Sequence, residues 1–415
     1  MNGEERIGIS GYISSSQGFS GRIKEFPEDF TVDEIPALPA ESAEGKYIIF
    51  RARIRNWETN SLVMEFARRL GISKKLITYA GTKDKTAVKT QYFCVNSRNA
   101  DLSLISIQDV EILDSFRSDT MLALGDLLGN RFTIKVSTGK NMDSLIRNTA
   151  LEIIEKGGFP NFFGSQRFGS IRPITHRVGK FLIKGDFKAA AVEYIADPEL
   201  DTDEFRLKFL EDGDAEKALE RFPRHLIYER MVLNHIRTGG SYREIFQGRF
   251  PRNLSMMFVH AYQSYLFNLM LSTRLNSGVP LTVPEEGDIA LPVDGYFNAT
   301  KSEEIRVSRF NISKVEQLVR ENRVRLTIPI FGYESRFSEG HQGEIERQIL
   351  EREGIDLKDF RITSAPDLSS KGERRITQVG FRDFEVNDNT LSFSLGKGVY
   401  ATSLLREIMK DGSVF

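Results

Sequence analysis

Between Tyr79 and Gln91 the chain places one carboxylate, Asp84, among Lys83, Lys85 and Lys89, with Gly81, Thr82 and Thr86 close by and no second acid. Surrounding cations favour the ionised form of a carboxylate, which suits Asp84 to a nucleophilic or electrostatic role and not to that of a general acid. The same lysines could grip a polyanion, so that a reactive carboxylate and a phosphate-binding surface coincide. A Lys-Asp-Lys run is more often a solvated turn. What favours a site is the apolar setting: Leu76, Ile77, Tyr79 and Ala80 precede the run and Tyr92, Phe93, Cys94 and Val95 follow it, so buried structure should anchor both ends of the loop.

Three further stretches combine glycines, aromatics and single charges. The first runs from Lys24 to Glu34 and contains Glu28 and Phe30. The second, 160–169, interleaves Phe162, Phe163 and Phe168 with Asn161, Gln166 and Arg167, a composition able to stack on and hydrogen-bond to a nucleobase. Taken alone, aromatics beside glycine are more often a packed turn. The third, 396–407, is a glycine loop with Tyr400 opening onto a helical pattern, whose first amides could face an anion or could simply turn the chain.

The elements that position these groups must come from a chain of 415 residues, long enough for two domains, with a formal net charge of −1. That balance hides an uneven distribution. From Arg51 to Arg98 there are eleven bases against three acids, Glu58, Glu65 and Asp84, a segment suited to a phosphate backbone. Cys94 is the only cysteine, which excludes an internal disulfide and a thiolate zinc cluster. The five histidines are scattered and none forms the i, i+4 pair of a zinc helix, so no metal is expected. No apolar run reaches the length of a membrane span and residues 1–6 lack a signal-peptide pattern, so the protein is expected to be cytoplasmic with no membrane partner.

Residues 46–54 alternate like a strand. Thr59 or Asn60 can cap a helix carrying Leu62, Val63, Phe66 and Leu70 at helical spacing, and Gly71 ends it. A short helix is predicted from Ser73, strands over 91–95 and 130–136, and a helix over 143–156. After Gly169 the pattern turns helical, over 178–195, 214–238 and 255–275. There Tyr262, Tyr265, Leu266, Leu269 and Met270 read as core and not as a cofactor stripe. Gly and Pro punctuation over 278–364 implies further strands. Leu391, Phe393 and Leu395 mark a strand and 401–409 a closing helix, so the two ends of the chain are expected to share one sheet around a large insertion. No dinucleotide or P-loop glycine pattern is present.

Together and in this order, the four stretches resemble the signature of the TruD family of tRNA pseudouridine synthases. Its most specific parts are Gly81-Thr82-Lys83-Asp84-Lys85-Thr86-Ala87 followed by Thr90-Gln91, and Asn161-Phe162-Phe163-Gly164-x-Gln-Arg-Phe-Gly. The resemblance covers 24–407. It implies an α/β (α+β) pseudouridine-synthase catalytic domain with a mixed or antiparallel sheet, formed by 1–169 plus 373–415 and interrupted by an α/β insertion domain at 170–372. It implies isomerisation of a uridine in tRNA, uridine 13 in the bacterial members, without a cofactor and with no obligatory protein partner evident. Carried over by position, Asp84 matches the catalytic aspartate and Lys24 the active-site lysine of the K-x-x-P-E-D-F element, in which Glu28 and Phe30 also fall. Asn161 and Phe163 match pocket residues, Tyr400 takes an aromatic position that is often Phe, and Lys83 and Lys85 flank the aspartate as substrate contacts.

Two other functions compete with that reading. A catalytically silent RNA-binding or RNA-folding protein could use the same basic and aromatic groups without needing Asp84. An Asp-dependent phosphotransferase would need clustered carboxylates for magnesium, and Asp84 has none beside it in sequence. Pseudouridine formed in metal-free buffer, RNA binding without product, and magnesium-dependent phosphate release tell the three apart.

Overall fold

The computed structural model describes residues 3–83, 87–169, 171–300 and 303–412 and has a mixed α/β fold, as the sequence predicts. Six strands come first: β1 (Phe30–Pro36), β2 (Tyr47–Arg55), β3 (Ile77–Tyr79), β4 (Val88–Val95), β5 (Val110–Ser118) and β6 (Leu127–Lys135). A short β7 (Phe159–Pro160) precedes the helical middle, which itself contains β8 (Ile289–Pro292), β9 (Ile305–Arg306) and β10 (Val324–Ile330). The chain then returns through β11 (Glu373–Ile376), β12 (Gln378–Val379), β13 (Arg382–Asn387) and β14 (Thr390–Gly396).

Eight strands form the main sheet, in the order β13-β14-β6-β1-β4-β2-β5 with β3 also on β4. The β1 to β4 pairing is parallel and the other pairings described are antiparallel. β6 lies between the early β1 and the late β14, so both ends of the chain do share one sheet.

Alternation along β2 puts Phe50, Ala52 and Ile54 on one face, where they meet Phe93 and Val95 of β4 beneath helix Thr59–Leu70. Phe66 from that helix stands edge-on to Phe93, with ring centroids 5.0 Å apart. The helix cap is Glu58, not Thr59 or Asn60: its carboxylate accepts from the amides of Asn60 and Ser61 at 2.9 and 2.8 Å. A two-oxygen acceptor satisfies two orphan donors where a hydroxyl satisfies one. Gly71, at φ +62°, closes the helix in the left-handed region as expected. A separate core joins Phe30, Val32, Phe132, Ile134, Leu391 and Phe393 to helices Asp143–Glu155 and Ala401–Met409.

The middle segment has its own core around helix Arg252–Asn276, where Tyr262, Leu266 and Met270 are fully buried, consistent with their reading as core. The stretch 178–195 is two helices, Thr175–Ile183 and Phe187–Ile195, because Gly185 turns at φ +74° between them. Likewise 214–238 divides into Ala215–Arg221 and Ile227–Arg237 on either side of Pro223. A second sheet, ordered β11-β10-β8-β9, lies among these helices. Hydrogen bonding thus places β11, which begins just past 372, in the sheet of the middle segment. Phe162, Phe163 and Phe168, from just before 170, are buried in the same middle core. No helix among the described residues is long and apolar enough to cross a membrane.

Candidate functional site

Strand β1 buries Phe30, Val32 and Glu34 on one face by simple alternation. Its parallel register with β4 sets Val32 opposite Lys89, so Lys89 and Gln91 rise beside Glu34 on the same face. These three polar side chains support the loop that leads to Asp84. Glu34 Oε1 lies 2.6 Å from Lys83 Nζ, and Oε2 accepts the Tyr92 amide at 2.8 Å. The Glu34 and Lys83 side chains are 0% and 7% exposed. The Gln91 amide donates to the Gly81 carbonyl, and the Lys89 ammonium donates to the Trp57 carbonyl. A side chain at position 81 would put its Cβ 3.1 Å from both Glu34 Oε1 and Lys83 Nζ, a tight contact that would push the pair aside by a few tenths of an ångström.

This geometry corrects the expectation that Lys83 and Lys89 face a polyanion. Both ammonium groups point inward, one to a carboxylate and the other to a backbone carbonyl, because a buried cation needs a partner. Asp84 and Lys85 lie outside the described residues.

The surplus of bases over 51–98 is likewise reduced in space. Arg51 pairs with Asp114 at 2.5 Å, Arg53 with Glu111 at 3.0 Å and Arg55 with Glu28 at 2.7 Å, while Arg68 and Arg69 share Glu65. Lys74 and Lys75 stand exposed on their turn.

Above this face opens a cavity of about 540 Å³. Phe30, Val32, Asn130 and Phe132 form its floor, the segment from Ala80 to Lys83 one wall, and the segment from Lys397 to Thr402 the other. Phe30 is buried and meets Phe132 edge-on at 6.1 Å. The Lys24 ammonium sits 4.1 Å from the centre of the Phe30 ring, and the Lys24 backbone is at φ +60°, uncommon for a residue with a side chain. Tyr400 caps the start of helix Ala401–Met409 and lines the cavity, as does the exposed Gln166. Glu28 is at the surface with Arg55 and does not line the cavity.

Asn161 and Phe163 lie behind the cavity wall. Asn161 is 2% exposed, and both ends of its amide are taken: Nδ2 donates to the Ile376 carbonyl at 3.0 Å and Oδ1 accepts from Arg375 Nη2 at 2.6 Å. With that side chain buried and each end already bonded, it does not face the cavity in this structure. The Arg375 guanidinium lies 4.2 Å from the Phe163 ring centre and donates to the Gly398 carbonyl at 3.1 Å, so it joins the Asn161 segment to the glycine loop. Burial lowers its pKa to about 10, which leaves it cationic at neutral pH. The Phe163 and Tyr400 rings stand 6.1 Å apart, so the two loops meet across the insertion.

Three residues central to this arrangement were given no role by sequence reasoning. Glu34 had a legible signal, a carboxylate in step with Phe30 and Val32 on the buried face of a strand. Gln91 had one in the Thr-Gln that follows the Asp84 run, and Arg375 had none, since its task arises from pairing with distant segments.

A mixed α/β sheet, a long segment inserted between its strands and a loop-walled cavity in the size range of small-molecule sites define the class. The chain belongs to the TruD family: the family model for tRNA pseudouridine synthase D (TruD) matches residues 6–408. A relative from Picrophilus torridus is 44% identical over 406 residues, 97% of each chain, and one from Thermoplasma volcanium is 45% identical over 389 residues, 93% of each. Both are named as probable tRNA pseudouridine synthases D. A crystal structure from Methanosarcina mazei bearing the name tRNA pseudouridine synthase D is similar with a TM-score of 0.81 at 37% identity, covering 99% of this chain and 98% of that one.

Proposed function

We propose that this chain isomerises a uridine of tRNA, uridine 13, to pseudouridine, with Asp84 as its catalytic aspartate. The observation that carries the reading is the convergence of three sequence-distant stretches on one cavity. The loop running into Asp84, the glycine loop with Tyr400, and Phe30 beside Lys24 all face the same space. The reaction breaks the C1′–N1 bond, turns the uracil and joins C5 to C1′, with no net redox change and no hydrolysis, so side chains alone suffice. An ionised Asp84 serves each of three routes: attack at C6, attack at C1′, or removal of a sugar proton. Lys24 keeps it ionised. Extruding the uridine costs about a few kcal/mol, and stacking on an aromatic ring, a role assigned here to Tyr400, returns roughly 1–3 kcal/mol.

Of the other residues read as substrate contacts, Phe30 floors the pocket, Asn161 and Phe163 act through Arg375, and Lys83 acts through Glu34. Glu28 holds Arg55 at the surface, and Lys85 is the loop lysine assigned to phosphate. Residues 1–169 with 373–415 form the catalytic part, apart from 161–169 and 373–376, which pack with the middle segment, and 170–372 clamp the body of the tRNA and select it.

The test is to incubate the purified protein with unmodified tRNA transcripts in chelator-treated buffer and map pseudouridine at nucleotide resolution. Product at position 13 is expected. Asp84→Asn should bind the RNA and form none. Binding without product by the native protein would instead make it an RNA-binding module, and turnover by Asp84→Asn would remove Asp84 from the mechanism.

A further inference from the structure

The turn that connects β5 to β6 carries Leu124 at the cavity mouth with 72% of its surface exposed. The turn is held from every side. Leu122 is fully buried and its carbonyl accepts from the Thr78 hydroxyl. The Asp126 carboxylate accepts the Ala123 amide at 2.7 Å, and the Asp126 amide donates to the Ala123 carbonyl at 3.1 Å. Gly125, at φ +99°, donates its amide to the Ala80 carbonyl at 2.7 Å and accepts from Lys397 Nζ at 3.4 Å. Ala80 begins one cavity wall and Lys397 the other. The turn therefore bridges both walls and presents a leucine between them.

Turn chemistry does not ask for leucine at such a place, where small polar residues and glycine serve better. A single exposed apolar side chain is ordinary on a protein surface. What sets Leu124 apart is that a rigid support holds it at the entrance through which a base must pass.

We propose that Leu124 is an apolar wedge that enters the RNA base stack as the target uridine leaves it, filling the vacated space and slowing the base's return. An apolar side chain inserted between base steps offsets lost stacking without any sequence-specific hydrogen bond, so it suits a site whose specificity lies elsewhere. Leu124 is thus a positioning residue that does not touch the reacting atoms. This inference rests on the proposed uridine isomerisation.

The experiment uses Leu124→Ala, Leu124→Gln and Leu124→Met in the full chain, with folded tRNA transcript as substrate. Single-turnover rates are measured at saturating enzyme. Base extrusion is followed separately by the fluorescence of 2-aminopurine placed next to the target, in the Asp84→Asn background so that no chemistry intervenes. The Ala and Gln variants should melt with the native protein, lose at least about tenfold in single-turnover rate, equal to ~1.4 kcal/mol, and lose most of the fluorescence rise. Leu124→Met should recover both. Unchanged rate and fluorescence in the Ala and Gln variants would overturn the wedge, and so would weaker binding with a normal saturated rate. A native protein that forms no pseudouridine would overturn the isomerase reading instead, and the fluorescence measurement would still judge the wedge alone.

Discussion

Replacing Glu34 by Gln changes one atom type in a buried carboxylate and strands a cation. Glu34 is fully buried, Lys83 nearly so, and their charged atoms are 2.6 Å apart. Lys83 lies at the edge of the cavity, but its side chain is only 7% exposed and that of Glu34 is wholly buried, so the stranded ammonium gains little hydration. Breaking a buried ion pair from one side costs about 3–5 kcal/mol, mostly the desolvation of the partner left behind. The Tyr92 amide keeps an acceptor in the glutamine oxygen, so its hydrogen bond adds little to that loss. Adding Lys83→Met removes the stranded charge, and a neutral pair of similar volume is often no less stable than the ion pair it replaces. The double variant should therefore lie within about 1 kcal/mol of the native protein while the single variant falls well below it. Trp57 is the only tryptophan of the chain and its carbonyl accepts from Lys89 next to this loop, so its fluorescence during urea unfolding reports the region directly. A single variant losing less than about 1 kcal/mol, or a double variant as damaged as the single, would refute the view that this pair is dry and mutually dependent.

Two further outcomes follow from the packing and the titration of the middle segment. Phe163→Ala should cost about 3–5 kcal/mol in chemical denaturation, because the ring is buried against Phe267, Tyr400 and Arg375; native stability with a collapsed rate would instead make it a substrate contact. The Glu193 carboxyl is pushed up to about 8, first by burial and then by its hydrogen bond with Asp197, against the lowering effect of Arg177 2.7 Å away. The folded protein then binds more protons than the unfolded chain from about pH 4.5 to about pH 8, so this group's contribution is fully present at the acid end and is lost as the pH rises through about 8. Glu193→Gln should flatten the fall of melting temperature across that window, and an unchanged slope would show that Glu193 is already ionised in the native state.

The elements legible in the sequence were those set by local periodicity. The β2 strand, helix Thr59–Leu70 and helix Ala401–Met409 each follow a pattern that needs no partner to be seen. Likewise Leu391, Phe393 and Leu395 announced β14 and the sharing of one sheet by both chain ends. Charge was misread because a count along the sequence ignores register. The β2 to β5 pairing sets Arg51 opposite Asp114 and Arg53 opposite Glu111, and the β1 to β4 pairing brings Glu34 under the lysine-rich loop. No window of sequence contains those pairs. The site stretches were visible as compositions, but whether a side chain faces the cavity or supports its wall was not. Asn161 and Gln166 look alike in sequence; the first is sealed behind the wall and the second is exposed in the cavity.

How a sheet tolerates a break of some two hundred residues is answered at the point of departure. The chain leaves through β7 and returns through β12, and these two strands pair, with Phe159 opposite Val379 and Pro160 opposite Gln378. Entry and exit are therefore neighbours, and the inserted segment leaves the pairing of β1, β6 and β14 undisturbed. Asn161 extends this seam by one residue: its amide donates to the Thr377 carbonyl at 2.8 Å and its side chain to that of Ile376. Arg375 then carries the connection from Asn161 to Gly398 and to the ring of Phe163. The seam that accommodates the insertion is thus tied through Arg375 to the glycine loop that walls the site.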